Sequence, residues 1–245
     1  MAKLFREFLR RTLYRGKGNL YTLDDPYQIL SKLLKDQNIT GIIDAGASDG
    51  RVGQRLLKRF SDAQVYQFEP NPIYAQTLGA KQNQNNRFHP FYVALSDQSG
   101  ELELQNTVSP GNVSMFKPNA MLHNRYGDSA KVQGVIKVPV TTLDTWWHEQ
   151  GKPDVQLMKF DIQGAELKAL KGAGELLDSG VQAIYSEVFI NPLYEGAALF
   201  SDIDLLLREH GFDLYNIYAP RHDTKTGMLL WAHSLYVHRD RLMIT

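Results

Sequence analysis

The chain has 245 residues, 43% of them hydrophobic, enough for one large α/β unit with a core of its own. Its 27 basic residues balance 27 acidic ones, which argues against a broad phosphate-binding face for nucleic acid. It contains no cysteine, so disulfides, thiolate nucleophiles and cysteine-ligated zinc are excluded, and any metal must use His or carboxylate ligands.

Residues 1–38 read as an N-terminal helical segment. Lys3, Arg6, Arg10, Arg11, Arg15 and Lys17 accompany Leu4, Phe5, Phe8, Leu9 and Leu13 at helical spacing. This predicts a basic amphipathic helix that covers an edge of the domain or makes peripheral contact with an anionic membrane or a partner. No apolar run approaches the roughly 20 residues of a membrane span, and the start lacks the apolar stretch of a signal peptide. The expectation is a cytoplasmic protein with at most a peripheral membrane contact. A second helix is predicted over residues 26–35.

Residues 39–245 read as the main domain. Strand 42–45, helix 51–60, strand 65–68, helix 73–81 and strand 88–95 alternate, the signature of a parallel sheet. An insertion over about residues 100–141 follows. It has strand-like alternation at 102–104 and 135–140 around a polar, Gly/Pro-marked stretch, 109–134, expected to lie over the site. The α/β pattern resumes with helix 143–150, strand 156–160, helix 165–177, strand 183–189 and helix 200–210. Strands near 214–218 and 228–237, joined by a hairpin, should pair antiparallel. The predicted fold class is α/β, with a mostly parallel seven-stranded sheet and helices on both faces.

The run Gly41-Ile42-Ile43-Asp44-Ala45-Gly46-Ala47-Ser48-Asp49-Gly50 is a buried strand feeding a tight glycine turn, which allows a nucleotide-like ligand to approach the backbone. The glycines at Gly46, Gly50 and Gly53 do not match the dinucleotide spacing. Asp44 and Asp49 would repel a pyrophosphate but favour the ammonium and sulfonium of S-adenosylmethionine. Gly46 and Ser48 belong to the same predicted contact. Glu69 ends the second strand about 20 residues beyond the loop, where a carboxylate accepts from ribose hydroxyls. Ser96 and Asp97 end the third, placed for the adenine amino group.

These motifs resemble the FkbM family of methyltransferases over about residues 40–240. The resemblance rests on Ile43-Asp44-Ala45-Gly46-Ala47, Phe68-Glu69-Pro70, Ala94-Leu95-Ser96-Asp97, Thr142-Leu143-Asp144 and, most specifically, Met158-Lys159-Phe160-Asp161-Ile162-Gln163-Gly164-Ala165-Glu166 followed by Leu170-Lys171-Gly172-Ala173. Ser186-Glu187-Val188 and Pro192-Leu193-Tyr194-Glu195-Gly196 extend it. Ser48, Asp49 and Gln163 depart from the Asn, the small or apolar residue and the Glu commoner there. The resemblance implies a class I, Rossmann-like fold and methyl transfer from S-adenosylmethionine to hydroxyl groups of sugars and polyketide-type molecules.

Ligands of open α/β sheets lie beyond the carboxyl ends of the strands, which puts Asp161 and Glu187 at the reactive end. An alcohol must lose its proton on methylation. Asp161 therefore serves as general base, or Asp161 and Glu187 hold a divalent metal, with His123, His222 or His233 as further ligands. Ser114, His123 and Arg125 of the insertion, with Tyr194 and His233, are the candidate contacts to a small-molecule or glycan acceptor. The alternative is a non-catalytic S-adenosylmethionine-binding module docked through the basic N-terminal helix. Oligomeric state carries no signal in the sequence.

Overall fold

A computed structural model describes residues 25–223 and 225–242. The basic helix expected over residues 3–17 lies outside the described residues. The first described helix, α1 (Pro26–Leu33), starts where Asp25 accepts a hydrogen bond from the Tyr27 N–H. It packs Tyr27 and Leu30 onto one side of the central sheet.

Strand β1 (Gly41–Ala45) is buried at every residue, as an apolar run in the middle of a parallel sheet must be. It is followed by α2 (Arg51–Leu57), β2 (Gln64–Phe68), α3 (Ala75–Gln84) and β3 (Phe88–Phe91). Sequence alternation predicts one strand over 88–95. The chain instead leaves the sheet after Phe91 and re-forms as β4 (Ala94–Leu95), which joins β5 (Gly100–Thr107) and β6 (Val132–Thr141) in a separate three-stranded sheet of order β4-β6-β5. Between β5 and β6 lies a helix the polar composition did not announce, α4 (Ala120–Tyr126), capped by the Asn119 side chain.

The second half supplies α5 (Leu143–Glu149), β7 (Leu157–Phe160), α6 (Glu166–Lys171), α7 (Gly174–Ser179), β8 (Ala183–Phe189), α8 (Phe200–Glu209), β9 (Phe212–His222) and β10 (Leu229–His238). The single helix expected over 165–177 is divided at Gly172, where an added Cβ would collide with the Ser96 carbonyl oxygen. The large sheet has order β3-β2-β1-β7-β8-β10-β9, with β10 antiparallel to both neighbours and the other pairs parallel. Pro90 and Pro220 fall on its two edge strands, where a missing N–H is tolerated.

Alternate residues of the strands feed opposite layers. Ile43, Phe68, Met158 and Phe160 pack with Trp146 and Leu170 on one face, while Ile42, Val65 and Leu157 pack with Leu30 and Leu56 on the other. Trp146 is wedged edge-on against Phe68 and Phe91, which makes it a core residue. Among the described residues no helix is long and apolar enough to cross a membrane.

Candidate functional site

Strand order reverses between β1 and β7: connections from β1 run outward to β2 and β3, those from β7 to β8. Such a switch point opens a crevice beyond the carboxyl ends of the strands. Gly46 makes the turn out of β1 with φ +76°, and an added Cβ there would collide with the Asp161 carbonyl oxygen. The turn is tied down on both sides. Gly46 N–H donates to Phe68 O (2.9 Å), and Asp161 N–H donates to Ala45 O (3.1 Å).

A cavity of about 250 Å³ occupies the crevice, lined by Gly46, Ser48, Phe68, Glu69, Val93, Leu95, Leu104, Asp161 and Ile162 among others. Glu69 is its principal polar feature. Its two oxygens accept from the Ser48 N–H (2.8 Å) and the Asn71 N–H (2.9 Å), so the carboxylate is held facing inward. Burial pushes its pKa up, and the two N–H donors oppose that shift. The slot has Glu69 fixed on one side, Asp161 at its far end and apolar walls that include Val93 and Leu95, a lining with room and acceptors for a nucleoside.

Several expected cofactor contacts are placed elsewhere. Asp49 is bound to Arg51 on the surface, at 2.6 Å, and accepts the Arg51 N–H. It holds the first N–H of α2 from just before the Gly50 N-cap and does not line the cavity. Asp44 is fully buried behind the turn, where Gln67 Nε2 donates to it (3.0 Å) and Lys159 Nζ pairs with it (3.2 Å). The same ammonium donates to the carbonyls of Ala45 and Gly46. Burial alone would lower the pKa of Lys159, but the charges of Asp44 and Asp161 outweigh it and keep it well up. Asp44 and Asp49 therefore do not set the charge preference of the cavity: one is neutralised by a buried lysine, the other by a surface arginine. Asp97 is held by Lys168 (3.1 Å) and by the Ser96 hydroxyl (2.9 Å), and neither Ser96 nor Asp97 lines the cavity. The early end of β3 is the reason, since it is Val93–Leu95 that crosses the site.

A second cavity, of about 230 Å³, adjoins the first, with Asp161, Gln163 and Gly111 lining both. Its other walls are Asn112, Leu122, Tyr126, Glu187, Phe189, Leu193, Trp231 and His233. Glu187 and His233 face one another across the β8–β10 ladder. Burial, then the nearby Asp161 and Glu166, push Glu187 far above the usual carboxylate range. Burial also lowers the pKa of His233 and so keeps its imidazole neutral; the ring stacks on Tyr185 at 5.1 Å.

Gln163 organises this junction, a role its sequence position did not reveal. Its Nε2 donates to Asp161 Oδ1 (2.9 Å) and Glu187 Oε2 (3.1 Å), and its Oε1 accepts from the Tyr194 hydroxyl (3.0 Å). Its backbone carbonyl accepts from the Ser114 hydroxyl at 2.6 Å. Tyr194 and Ser114, expected as acceptor contacts, thus hold Gln163 instead. Tyr194 is fully buried and lines neither cavity, and Ser114 lines the first one. His123 and Arg125 are also displaced. On α4 the cavity-facing positions are Leu122 and Tyr126, one turn apart, so His123 and Arg125 fall on other faces of the helix. His233 does line the second cavity.

The geometry gives no support to a divalent ion. The space between Asp161 and Glu187 is bridged by an amide that presents N–H donors, and among the described residues no group of three His, Cys, Asp or Glu side chains is arranged to hold a metal ion.

Glu166 supplies a pH test of this carboxylate cluster. It is buried, accepts from the Ile162 N–H (2.8 Å), and is pushed up to about 7 by burial, with Asp161 adding to the effect. A pKa raised on folding means the folded state holds the proton more tightly. Stability is then complete below the ordinary Glu value and falls as pH rises through about 7. Over that window the wild type should lose on the order of 3 kcal/mol relative to Glu166→Gln. Urea unfolding of both proteins across the range measures this, and parallel stability curves would refute it.

Residues 44–214 match the methyltransferase FkbM domain. The chain belongs to the FkbM family of methyltransferases. Over 185 residues this FkbM protein is 30% identical to the 2-O-methyltransferase NoeI of Sinorhizobium fredii (strain NBRC 101917 / NGR234), covering 73% of this chain and 75% of that one. Over 196 residues it is 26% identical to methyltransferase sdnD of Sordaria araneosa, covering 71% and 73% respectively. Among solved structures, magnesium protoporphyrin IX methyltransferase of Synechocystis PCC 6803 with bound SAM aligns over 96% of both chains at 13% identity, with a TM-score of 0.45. The protein is an S-adenosylmethionine-dependent methyltransferase, and the seven-stranded sheet with its antiparallel β10 is the class I arrangement the resemblance implied.

Proposed function

We propose that this FkbM protein transfers a methyl group to a hydroxyl of a sugar, a glycan or a related polyhydroxylated small molecule, with Asp161 as the general base. The observation that carries the reading is the junction: a nucleoside-shaped cavity with Glu69 and a second, aromatic-walled cavity meet at Asp161 and Gln163. When bound, S-adenosylmethionine supplies an electrophilic methyl group on a sulfonium. Glu69, Ser48 and the Gly46 turn would hold its nucleoside side, and the second cavity would admit the acceptor to the junction.

Asp161 receives the proton of the acceptor hydroxyl, which is too weak an acid to shed it unaided. Gln163 fixes the Asp161 and Glu187 side chains through one amide group, so neither has to reorient during reaction. Leu122, Phe189 and Leu193 limit water, while Tyr126 and Trp231 offer faces for the C–H surface of a sugar ring. The name of the 2-O-methyltransferase relative supports oxygen as the acceptor atom. A non-catalytic binding module would have no need of a carboxylate pair clamped between two cavities, and is set aside.

Calorimetry with S-adenosylmethionine, followed by methyl transfer to a panel of monosaccharides and glycans, tests the reading. Product methylated at oxygen is expected. Cofactor binding with methylation only of amines, or of nothing in the panel, would overturn it.

A further inference from the structure

Both aromatic walls of the acceptor cavity carry a guanidinium over the ring. Arg221 Cζ lies 5.6 Å from the Trp231 centroid, and Arg125 Cζ lies 5.9 Å from that of Tyr126. Arg221 and Trp231 are cross-strand partners in the β9–β10 ladder, so this placement is built into the sheet. Every other described arginine holds a carboxylate or a backbone carbonyl. Arg125 and Arg221 hold neither. The floor of the same cavity carries Asp161 and Glu187, so the cavity is polarised, positive beside its aromatic walls and acidic at the junction.

We infer that the acceptor is an anionic glycoside, whose phosphate or carboxylate group is bound at the cavity's edge by Arg221, held over the lining residue Trp231, while a neutral hydroxyl of the same molecule reaches Asp161. This rests on the proposed methyl transfer to a hydroxyl. Stacking on an aromatic face fixes the guanidinium plane and leaves its edge N–H groups for an oxyanion, in the forked geometry that suits phosphate and carboxylate alike. An anionic group is repelled from the acidic floor and held at Arg221, whereas an uncharged hydroxyl pays no such penalty. The two ends of the acceptor are thereby told apart by charge, and the orientation that brings a hydroxyl to Asp161 is selected.

The test uses the full chain, with inorganic phosphate, glucose 1-phosphate, glucuronate and glucose as probes in calorimetry. The charged probes should bind, Arg221→Gln should weaken them roughly tenfold, and Arg125→Gln, on a face of α4 turned from the cavity, should change them little. The preference over glucose should shrink as salt is raised, and S-adenosylmethionine binding should persist in both variants. Comparing glucose 1-phosphate with glucuronate assigns the anion, either preference supporting the inference. Absence of any binding of charged probes that depends on Arg221 overturns it. Methylation of neutral glycosides that ignores charge would sink this inference and leave the O-methyl transfer standing; binding of the charged probes with no methylation at oxygen would do the reverse.

Discussion

Asp161→Asn should lower turnover by about three orders of magnitude, within the range that loss of a general base typically costs, while S-adenosylmethionine binding changes little. Asparagine keeps the shape and can still accept the Gln163 Nε2 hydrogen bond that Asp161 receives at 2.9 Å, so the change removes proton acceptance and little else. Glu187→Gln is the informative companion. Burial and the neighbouring acids push Glu187 far above its ordinary range, and its Oε2 accepts from Gln163 Nε2 at 3.1 Å, a contact the amide oxygen of a glutamine can still make. Its loss should therefore be less than roughly tenfold. Single-turnover kinetics of both variants, alongside calorimetry with the cofactor, separate the roles. Near-normal turnover in Asp161→Asn, or a larger loss in Glu187→Gln than in Asp161→Asn, would transfer the base assignment away from Asp161.

The fold was legible because its signals are local. Alternation of buried strands with helices, and the glycine turn after β1, both survive in a single sequence. The division at Phe91 was not legible, because nothing in residues 88–95 distinguishes a strand that continues from one that changes sheets. For the site, the acids at strand ends located Glu69, Asp161 and Glu187, yet they led to a faulty argument at Asp44 and Asp49. Lys159 stood in the quoted motif but was not weighed as a partner for Asp44, because the pair forms only when β1 and β7 lie side by side. Gln163 was missed for a related reason. Its importance comes from φ +53° and four hydrogen bonds to Asp161, Glu187, Tyr194 and Ser114, the last three of them to distant parts of the chain. Helix α4 sits inside the polar, Gly/Pro-marked stretch 109–134, whose composition masks the 3.6-residue period that puts Leu122 and Tyr126 on one face and His123 and Arg125 off it.

Gly46→Ala should be strongly damaging to both stability and turnover. Alanine at φ +76° costs roughly 1–2 kcal/mol from local sterics. The new Cβ would also collide with the Asp161 carbonyl oxygen, which is rigid backbone and not a side chain that can swing away. Relief requires β1 and the end of β7 to separate, against the Asp161 N–H to Ala45 O hydrogen bond and the Lys159 contacts to the same turn. Together these predict a loss of about 3 kcal/mol or more, a fall in Tm on the order of 6–12 °C for a chain of this size. Because the displaced backbone carries Asp161 itself, turnover in the surviving folded fraction should fall about a hundredfold, as misplacement by an ångström commonly causes. Gly134→Ala is the control, since that glycine has no atom within 4 Å of an added Cβ, and its effect should be close to zero. Thermal unfolding and activity per folded molecule measure the two consequences separately. A Gly46→Ala protein as stable and as active as Gly134→Ala would mean that the turn and the base are not mechanically joined, and the placement of Asp161 at the meeting of the two cavities would need another cause.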